Sequence, residues 1–298
     1  MGSGIRRLSR STIDDGAWDA AVRSDPTPLP YGLTDWLDAA TDRRWDGLVL
    51  DNYRAVLPLP RMRRLGFVPV YVRPPYTQQL GPFGQLLPGD VRALLSAVPF
   101  RPQIALPLRA GVPTAEIPKR YRSRVRTNFE LDLSRKWPNI AAGFPRKLQA
   151  FLRKSSDDCL DTMDPATFVA LSEADLAGKP GMQPSQFAAL HRLILTAQNA
   201  GWGNCHQLRE DGELLAAGFF PHFGGRTINL ATVTTERGKK RRGTSRLLAL
   251  VMQRHAGEPG AVFDFEGSEI PGVKAFFAKF GGVDRGYRLV EAGPRGWL

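Results

Sequence analysis

Arg226–Val290, RTINLATVTTERGKKRRGTSRLLALVMQRHAGEPGAVFDFEGSEIPGVKAFFAKFGGVDRGYRLV, decides the fold. Arg226–Val233 alternates, with Ile228, Leu230 and Thr232 on one side and Asn229, Ala231 and Val233 on the other. That period predicts a half-buried strand. Thr234–Thr244 follows as a turn-rich run with five basic residues, and Thr244–Ala256 reads as a helix. A helix that starts after a strand and loop presents unpaired backbone N–H groups, and its aligned peptide dipoles add partial positive charge. Such an end binds phosphate without a dedicated side chain. Ala261–Phe265 then reads as a strand, Glu269–Phe280 as a helix and Tyr287–Val290 as a last strand. Within that helix Val273, Phe276, Phe277 and Phe280 share one face, which predicts core, and Gly281-Gly282 ends it.

Working outward, the 298 residues suit two domains, and 42% hydrophobic against 23% charged is the composition of a chain that buries a core. The net charge of +12 favours phosphates and polyanions as partners. The two cysteines, Cys159 and Cys205, lie far apart with no CxxC, so neither a disulfide framework nor a structural metal is expected. No run of 18 or more apolar residues occurs, and the first residues lack the apolar stretch of a secretory signal. A cytoplasmic location is the expectation, with peripheral membrane contact through basic residues left open.

Both halves contain a hairpin signal. Trp45–Leu50 and Tyr53–Leu57 flank Asp51-Asn52, and Cys205–Arg209 and Glu213–Phe220 flank Asp211-Gly212. Val125–Leu133 alternates and predicts one strand, and Asn139–Lys154 predicts a basic helix. Asp164-Pro165 predicts an N-cap followed by proline at the first helical position. Leu176–Pro184 reads as a loop, and Pro184–Ala200 as a helix with Phe187, Leu190, Ile194 and Ala197 in one stripe.

Hairpin, strand, basic loop, helix, strand, helix, strand is the order of the GNAT N-acetyltransferase fold, which this chain resembles. Ala275–Gly282 (AFFAKFGG) is similar to the helix and glycine turn near the end of that fold. The strings WDGLVL from Trp45, Ala55–Pro60, Thr77–Gly81, Arg126–Leu133 and Asp264–Ser268 together resemble the bacterial FemAB-like branch, in which two GNAT-like units share one chain. The resemblance implies an α/β (α+β) fold of two tandem units, each a mixed sheet flanked by helices. Residues 1–155 would form a degenerate N-terminal unit and residues 156–298 the unit with the cofactor loop. GNAT enzymes transfer an acyl group from coenzyme A to an amine, whereas FemX-type enzymes take an aminoacyl group from tRNA.

The resemblance also implies where to look. Lys240-Arg241-Arg242-Gly243-Thr244-Ser245 stands at the phosphate loop, although its spacing of glycines departs from the usual Gln/Arg-x-x-Gly-x-Gly/Ala. Thr232, Val233 and Thr234 stand on the strand that splays from its neighbour in this fold and exposes backbone groups. Phe276-Phe277 replaces the Phe-Tyr pair that often supplies a general acid. Acyl transfer to an amine needs a proton acceptor, and Glu266, at the end of the strand Ala261–Phe265, is the candidate base. Gln78, Gln79, Arg126 and Asn128 are candidates to line a substrate cleft between the two units. Lys119–Arg126 (KRYRSRVR) reads as a solvated connector rather than a nucleic-acid strip, and His206 and His222 as structural. The expected activity is acyl transfer from acyl-CoA to a small-molecule or peptide amine, without a metal. The alternatives are an aminoacyltransferase that uses aminoacyl-tRNA and a non-catalytic binding protein on the same scaffold.

Overall fold

The computed structural model describes residues 4–155, 158–176, 183–267 and 270–294. In chain order the elements are β1 (Ile5–Ser9), α1 (Asp15–Arg23), α2 (Thr34–Thr41), β2 (Trp45–Leu50), β3 (Ala55–Arg64), β4 (Val68–Val72), β5 (Phe83–Gly84), α3 (Asp90–Ala97), β6 (Ile104–Pro107), β7 (Arg122–Arg126), β8 (Phe129–Asp132), α4 (Trp137–Ala141), α5 (Arg146–Lys154), β9 (Asp161–Thr162), α6 (Pro165–Leu176), α7 (Pro184–Asn199), β10 (Gly203–Glu210), β11 (Glu213–Phe223), β12 (Arg226–Ile228), β13 (Ala231–Thr234), α8 (Glu236–Lys240), α9 (Gly243–Arg254), β14 (Val262–Glu266), α10 (Pro271–Lys279), β15 (Val283–Asp284) and β16 (Tyr287–Ala292).

These elements form two mixed-sheet units. One comprises Met1–Arg126 and Gly286–Leu298, the other Thr127–Arg285. The expected division at residues 155/156 is therefore displaced, for a reason visible in the strand pairing. The alternating run Val125–Leu133 is two strands, not one, cut at Thr127-Asn128. β7 pairs with β16 in the first unit, and β8 pairs with β14 and β15 in the second. Alternation reports which faces are buried; it carries no information about which sheet does the burying.

In the first unit the sheet order is β1-β2-β3-β4-β6-β16-β7, with β5 beside β3. Three tryptophans, Trp18, Trp36 and Trp45, are fully buried in it. Each indole N–H finds an acceptor: the Gly32 carbonyl at 2.8 Å, Thr77 Oγ1 at 3.0 Å and Asp38 Oδ1 at 2.7 Å respectively. A buried indole left without such a partner costs stability, so these bonds fix the rings as well as satisfy them. The β2–β3 turn is four residues, Asp51–Arg54, longer than the two residues that Asp51-Asn52 suggested.

The second unit orders its strands β15-β8-β14-β12-β11-β10-β9, with β13 also on β11. The β10–β11 hairpin turns at Asp211-Gly212, both in the left-handed region, as the Asp-Gly signal predicts. The core joins Leu208, Leu215 and Phe220 of the hairpin to Leu247, Leu248, Val251 and Met252 of α9, and to Phe263, Phe265, Phe277 and Phe280. Each such side chain, fully buried, stabilises the unit by about 1.5–3 kcal/mol before entropy is counted. Asp164 caps α6 as expected, accepting from the Thr167 N–H at 2.9 Å. The predicted helix Asn139–Lys154 is broken into α4 and α5, because Pro145 forces the preceding residues out of the helical region and becomes the N-cap of α5. Residues 177–182 of the predicted loop, and residues 268 and 269 at the start of the predicted helix Glu269–Phe280, lie outside the described residues.

Candidate functional site

The stretch from Arg226 does not form one strand. β12 runs parallel to β14, with Thr227 opposite Phe263 and Ile228 opposite Asp264. The Asn229 N–H then donates to the Asp264 carbonyl at 2.8 Å, and the pairing with β14 ends. β13 continues on β11 alone, with Thr232 opposite Gly218 and Val233 opposite Ala217. Its other edge, along Ala231–Thr234, is bordered by no strand among the described residues. This is the splay expected at Thr232, Val233 and Thr234. Val233 is buried, while Thr232 and Thr234 are half-buried. Thr232 Oγ1 donates to Asn229 Oδ1 at 2.6 Å, and the Thr234 and Thr244 hydroxyls lie 2.5 Å apart, tying the strand to the start of α9.

The loop between strand and helix is more ordered than its composition suggested. Thr235 caps the short helix α8, accepting from the Gly238 N–H at 3.0 Å. The Thr235 N–H and Oγ1 in turn donate to the Leu215 and Leu214 carbonyls, at 3.0 and 2.8 Å. Gly238 rests on the same strand: a Cβ there would come within 1.8 Å of the Leu215 carbonyl oxygen. A Cβ on Gly243 would meet Leu215 at 3.0 Å. Gly243 therefore packs tightly on β11, where a side chain would press on Leu215.

Arg242 enters α9 from the left-handed region, φ 52°, and no side chain caps the helix. The first-turn amides of Gly243, Thr244 and Ser245 therefore lack the side-chain partner found at α1, α6 and α8. Two cavities open beside this end. One, about 550 Å³, is lined by Phe151, Lys154, Arg209, Lys240, Arg241 and Arg242 among others. The other, about 470 Å³, is mostly apolar and lies among Pro145, Leu148, Phe276 and Phe280, with Lys147, Lys279, Arg242 and Ser245 at its edge.

The five loop cations are not equivalent. Arg241 Nε meets Glu210 at 2.7 Å, Arg237 meets Asp211 at 2.8 Å, and Lys239 meets Glu236 at 2.5 Å. Lys240 and Arg242 make no ion pair among the described residues, and the Arg242 guanidinium lies 5.0 Å from the centroid of the Phe151 ring. Sequence reasoning missed the anchor beneath them. Arg246, buried in α9, bonds Asp158 through Nε at 2.6 Å and Glu210 through Nη1 at 2.8 Å. Hydrogen bonds from Arg241 and Arg246 lower the Glu210 carboxyl to about 2, so it stays charged at any ordinary pH. The signal was present, since Arg246 stands directly before the apolar run Leu247–Met252, one helical turn from Ala249 and Leu250.

Glu266 is half-buried at the end of β14 with φ 59°, where the pairing with β8 shifts register, and its N–H donates to Asp264 Oδ1 at 2.8 Å. It lines neither of the two cavities beside the start of α9. Asp264 itself is fully buried between Arg226 (2.7 Å) and the sheet. Burial pushes its carboxyl upward, and Arg226, which also holds Glu130 at 2.8 Å, opposes that shift.

The four residues expected to line a substrate cleft are divided between the two units. Gln78, Gln79 and Arg126 belong to the first unit and Asn128 to the second. Gln78 and Gln79 are buried, bonded to each other at 3.0 Å, and Gln79 Oε1 accepts from the Ala110 N–H at 2.8 Å. Arg126 ends β7 opposite Tyr287. Asn128 is fully buried; its Nδ2 donates to Glu130 and its N–H to Asp284 Oδ1, both at 3.1 Å. Its Oδ1 has no partner among the described residues.

The comparisons with known proteins agree with this architecture. No family model and no curated protein matches the sequence. Among solved structures, FemX matches with TM-score 0.68 at 12% identity over 96% of each chain. A conserved protein of unknown function from Bacteroides thetaiotaomicron matches with TM-score 0.63 at 12% identity, over 98% of this chain and 100% of that one. A tandem GNAT protein from the clavulanic acid biosynthesis pathway matches with TM-score 0.53 at 16% identity, over 98% and 99%. The chain therefore has the two-unit GNAT fold that FemX and the tandem GNAT protein share.

Proposed function

We propose that the protein is an N-acyltransferase whose second unit binds the pyrophosphate of an acyl-coenzyme A at Lys240–Ser245 and passes the acyl group to an amine. The observation that carries this reading is the open end of α9. It combines uncapped first-turn amides, the two unpaired cations Lys240 and Arg242, and adjacent cavities of ligand size. The splayed edge of β13 supplies backbone groups beside it, suited to hold the pantetheine amides. In the reaction the acceptor amine loses a proton and attacks the thioester carbonyl, and the thiolate leaves. Glu266 is the proposed proton acceptor, directly or through water. Phe277 is buried in the core and offers no proton, so the thiolate would be protonated from solvent.

A second reading, use of an aminoacyl-tRNA, is favoured by one observation: Lys154, Arg209, Lys240 and Arg242 line one cavity, beside Arg241 and the carboxylates Asp158, Asp161 and Glu210, and these cations could engage phosphates of a nucleic-acid end. Thermal-shift titration separates the two. Acetyl-CoA and longer acyl-CoAs should raise the melting temperature, because a ligand that binds only the native state stabilises it. The Ser245→Glu variant, carrying negative charge and bulk to the end of α9, should lose that shift while the unliganded melting temperature stays the same. A salt-sensitive shift with aminoacyl-tRNA and none with CoA would replace the first reading by the second, and no shift with either would leave a binding scaffold of another kind.

A further inference from the structure

The three most exposed large apolar side chains among the described residues of the first unit are Leu65, Phe67 and Phe100. The β3–β4 hairpin turns through Leu65, Gly66 and Phe67, and Leu65 and Phe67 are each 72% exposed. Leu65 holds φ 52°, a conformation that asparagine or glycine adopts at less cost. Phe100 is 83% exposed. β4 and β6 are parallel with Tyr71 opposite Ile104, so the segments carrying Phe67 and Phe100 both enter their strands at the same end. Both phenylalanines thus lie at the tip end of this part of the sheet. A solvated hairpin tip is ordinarily polar, and three large apolar side chains gathered at one end mark an interaction surface.

Charge is arranged behind the apolar tip rather than among it. From Asn52 to Ala115 the sequence has eight arginines and a single carboxylate, Asp90. Arg61 and Arg63 lie on one face of β3, opposite Tyr71 and Pro69, and Arg101 stacks over the Tyr71 ring at 4.7 Å. Arg63 is exposed and makes no ion pair among the described residues. Arg64 meets Gln103 Oε1 at 3.0 Å. The nearby carboxylate, Asp46, is buried and already held by Arg7 at 2.7 Å and Arg61 at 3.4 Å. At ~3.4 Å per residue the Arg63 guanidinium stem starts about 7 Å behind Leu65. That offset matches the ~5–10 Å between the acyl boundary and the phosphates of a bilayer.

We infer that the Leu65–Phe67 hairpin tip with Phe100 is a docking prong for an anionic phospholipid bilayer. Leu65, Phe67 and Phe100 enter the acyl boundary, and Arg63 and Arg101 face the headgroup phosphates. Among the described residues no helix is long and apolar enough to cross a membrane, so the contact is peripheral. A single-stranded RNA could also stack on exposed phenylalanines, but it has no use for an aliphatic side chain at the apex. The inference is independent of the proposed reaction, since it concerns the first unit alone.

Co-sedimentation of the full chain with phosphatidylcholine vesicles, with and without phosphatidylglycerol, tests it. The wild type should bind the phosphatidylglycerol vesicles and be weakened by salt. The combined Leu65→Ser, Phe67→Ser and Phe100→Ser variant should bind them roughly tenfold or more weakly, with an unchanged melting temperature because all three side chains are exposed. A Phe67→Trp variant should show blue-shifted emission on adding the same vesicles. Absence of wild-type vesicle binding would overturn the inference. So would equal binding by the triple variant, or an RNA interaction that the triple variant loses while vesicles bind neither protein.

Discussion

At the scale of the residue, the loop is built by glycines and one buried arginine rather than by its many surface cations. Gly238 is where a methyl group does most harm, because the Leu215 carbonyl oxygen occupies the place a Cβ would take. Gly238→Ala should therefore lower stability by about 1–3 kcal/mol, the usual cost of overpacking, read as a shift of the urea midpoint with unchanged slope. Gly243→Ala, with its nearest neighbour at 3.0 Å, should cost less. An equal or larger loss at Gly243 would show that the two positions have been ranked wrongly. The histidines give a pH dependence. His222 and His255 stack with centroids 4.2 Å apart. Burial lowers both, and with repulsion from His222 brings His255 down to about 4. A base whose folded value lies below its unfolded one, ~6.5, binds fewer protons when folded. Stability should thus be fully present above about pH 6.5 and fall as the pH drops toward 4. His255→Phe should flatten that slope in acid-denaturation curves; an unchanged slope would remove the pair from the account.

At the scale of the element, the sequence was legible where period and local chemistry agree. The β10–β11 hairpin, the Asp164 cap, the phenylalanine face of α10 and the helix after the basic loop all declare themselves within a few residues. What was not legible depends on partners far along the chain. Nothing in VRTNFELDL shows that its halves serve different sheets, and nothing in RTINLATV shows that β14 accompanies the first half alone. The basic run was read as a turn-rich phosphate loop, and nothing within it shows that Thr235 and Gly238 fasten it to β11. The same dependence on distant partners makes one ion cluster decisive for β8, β12 and β14. Arg226→Met would leave Glu130 and the fully buried Asp264 without their shared cation, and should cost about 3–5 kcal/mol in chemical denaturation. A loss below 1 kcal/mol would mean that water or a proton already compensates the pair.

At the scale of the whole molecule, the chain's last strand belongs to the first unit. β16 lies between β6 and β7, pairing Leu289 with Pro107 and with Arg124. Ending the chain at Arg285 would remove that strand and expose two edges. Hydrogen exchange of β6 and β7 amides in the truncated chain should accelerate strongly, while protection in α9 and β14 persists. The candidate site was half visible in the sequence. The position of the loop, the splayed strand and the missing tyrosine were readable. Arg246 and its carboxylates were not, nor was the burial of Gln78, Gln79 and Asn128, because burial is a property of the assembled sheets. The central claim is that the open end of α9 grips the pyrophosphate of coenzyme A. Its most direct test is the backbone amide chemical shifts of the isotopically labelled protein during titration with CoA. Gly243, Thr244 and Ser245 should shift most and in proportion to saturation, whereas saturating CoA that leaves those three amides unmoved would contradict the account.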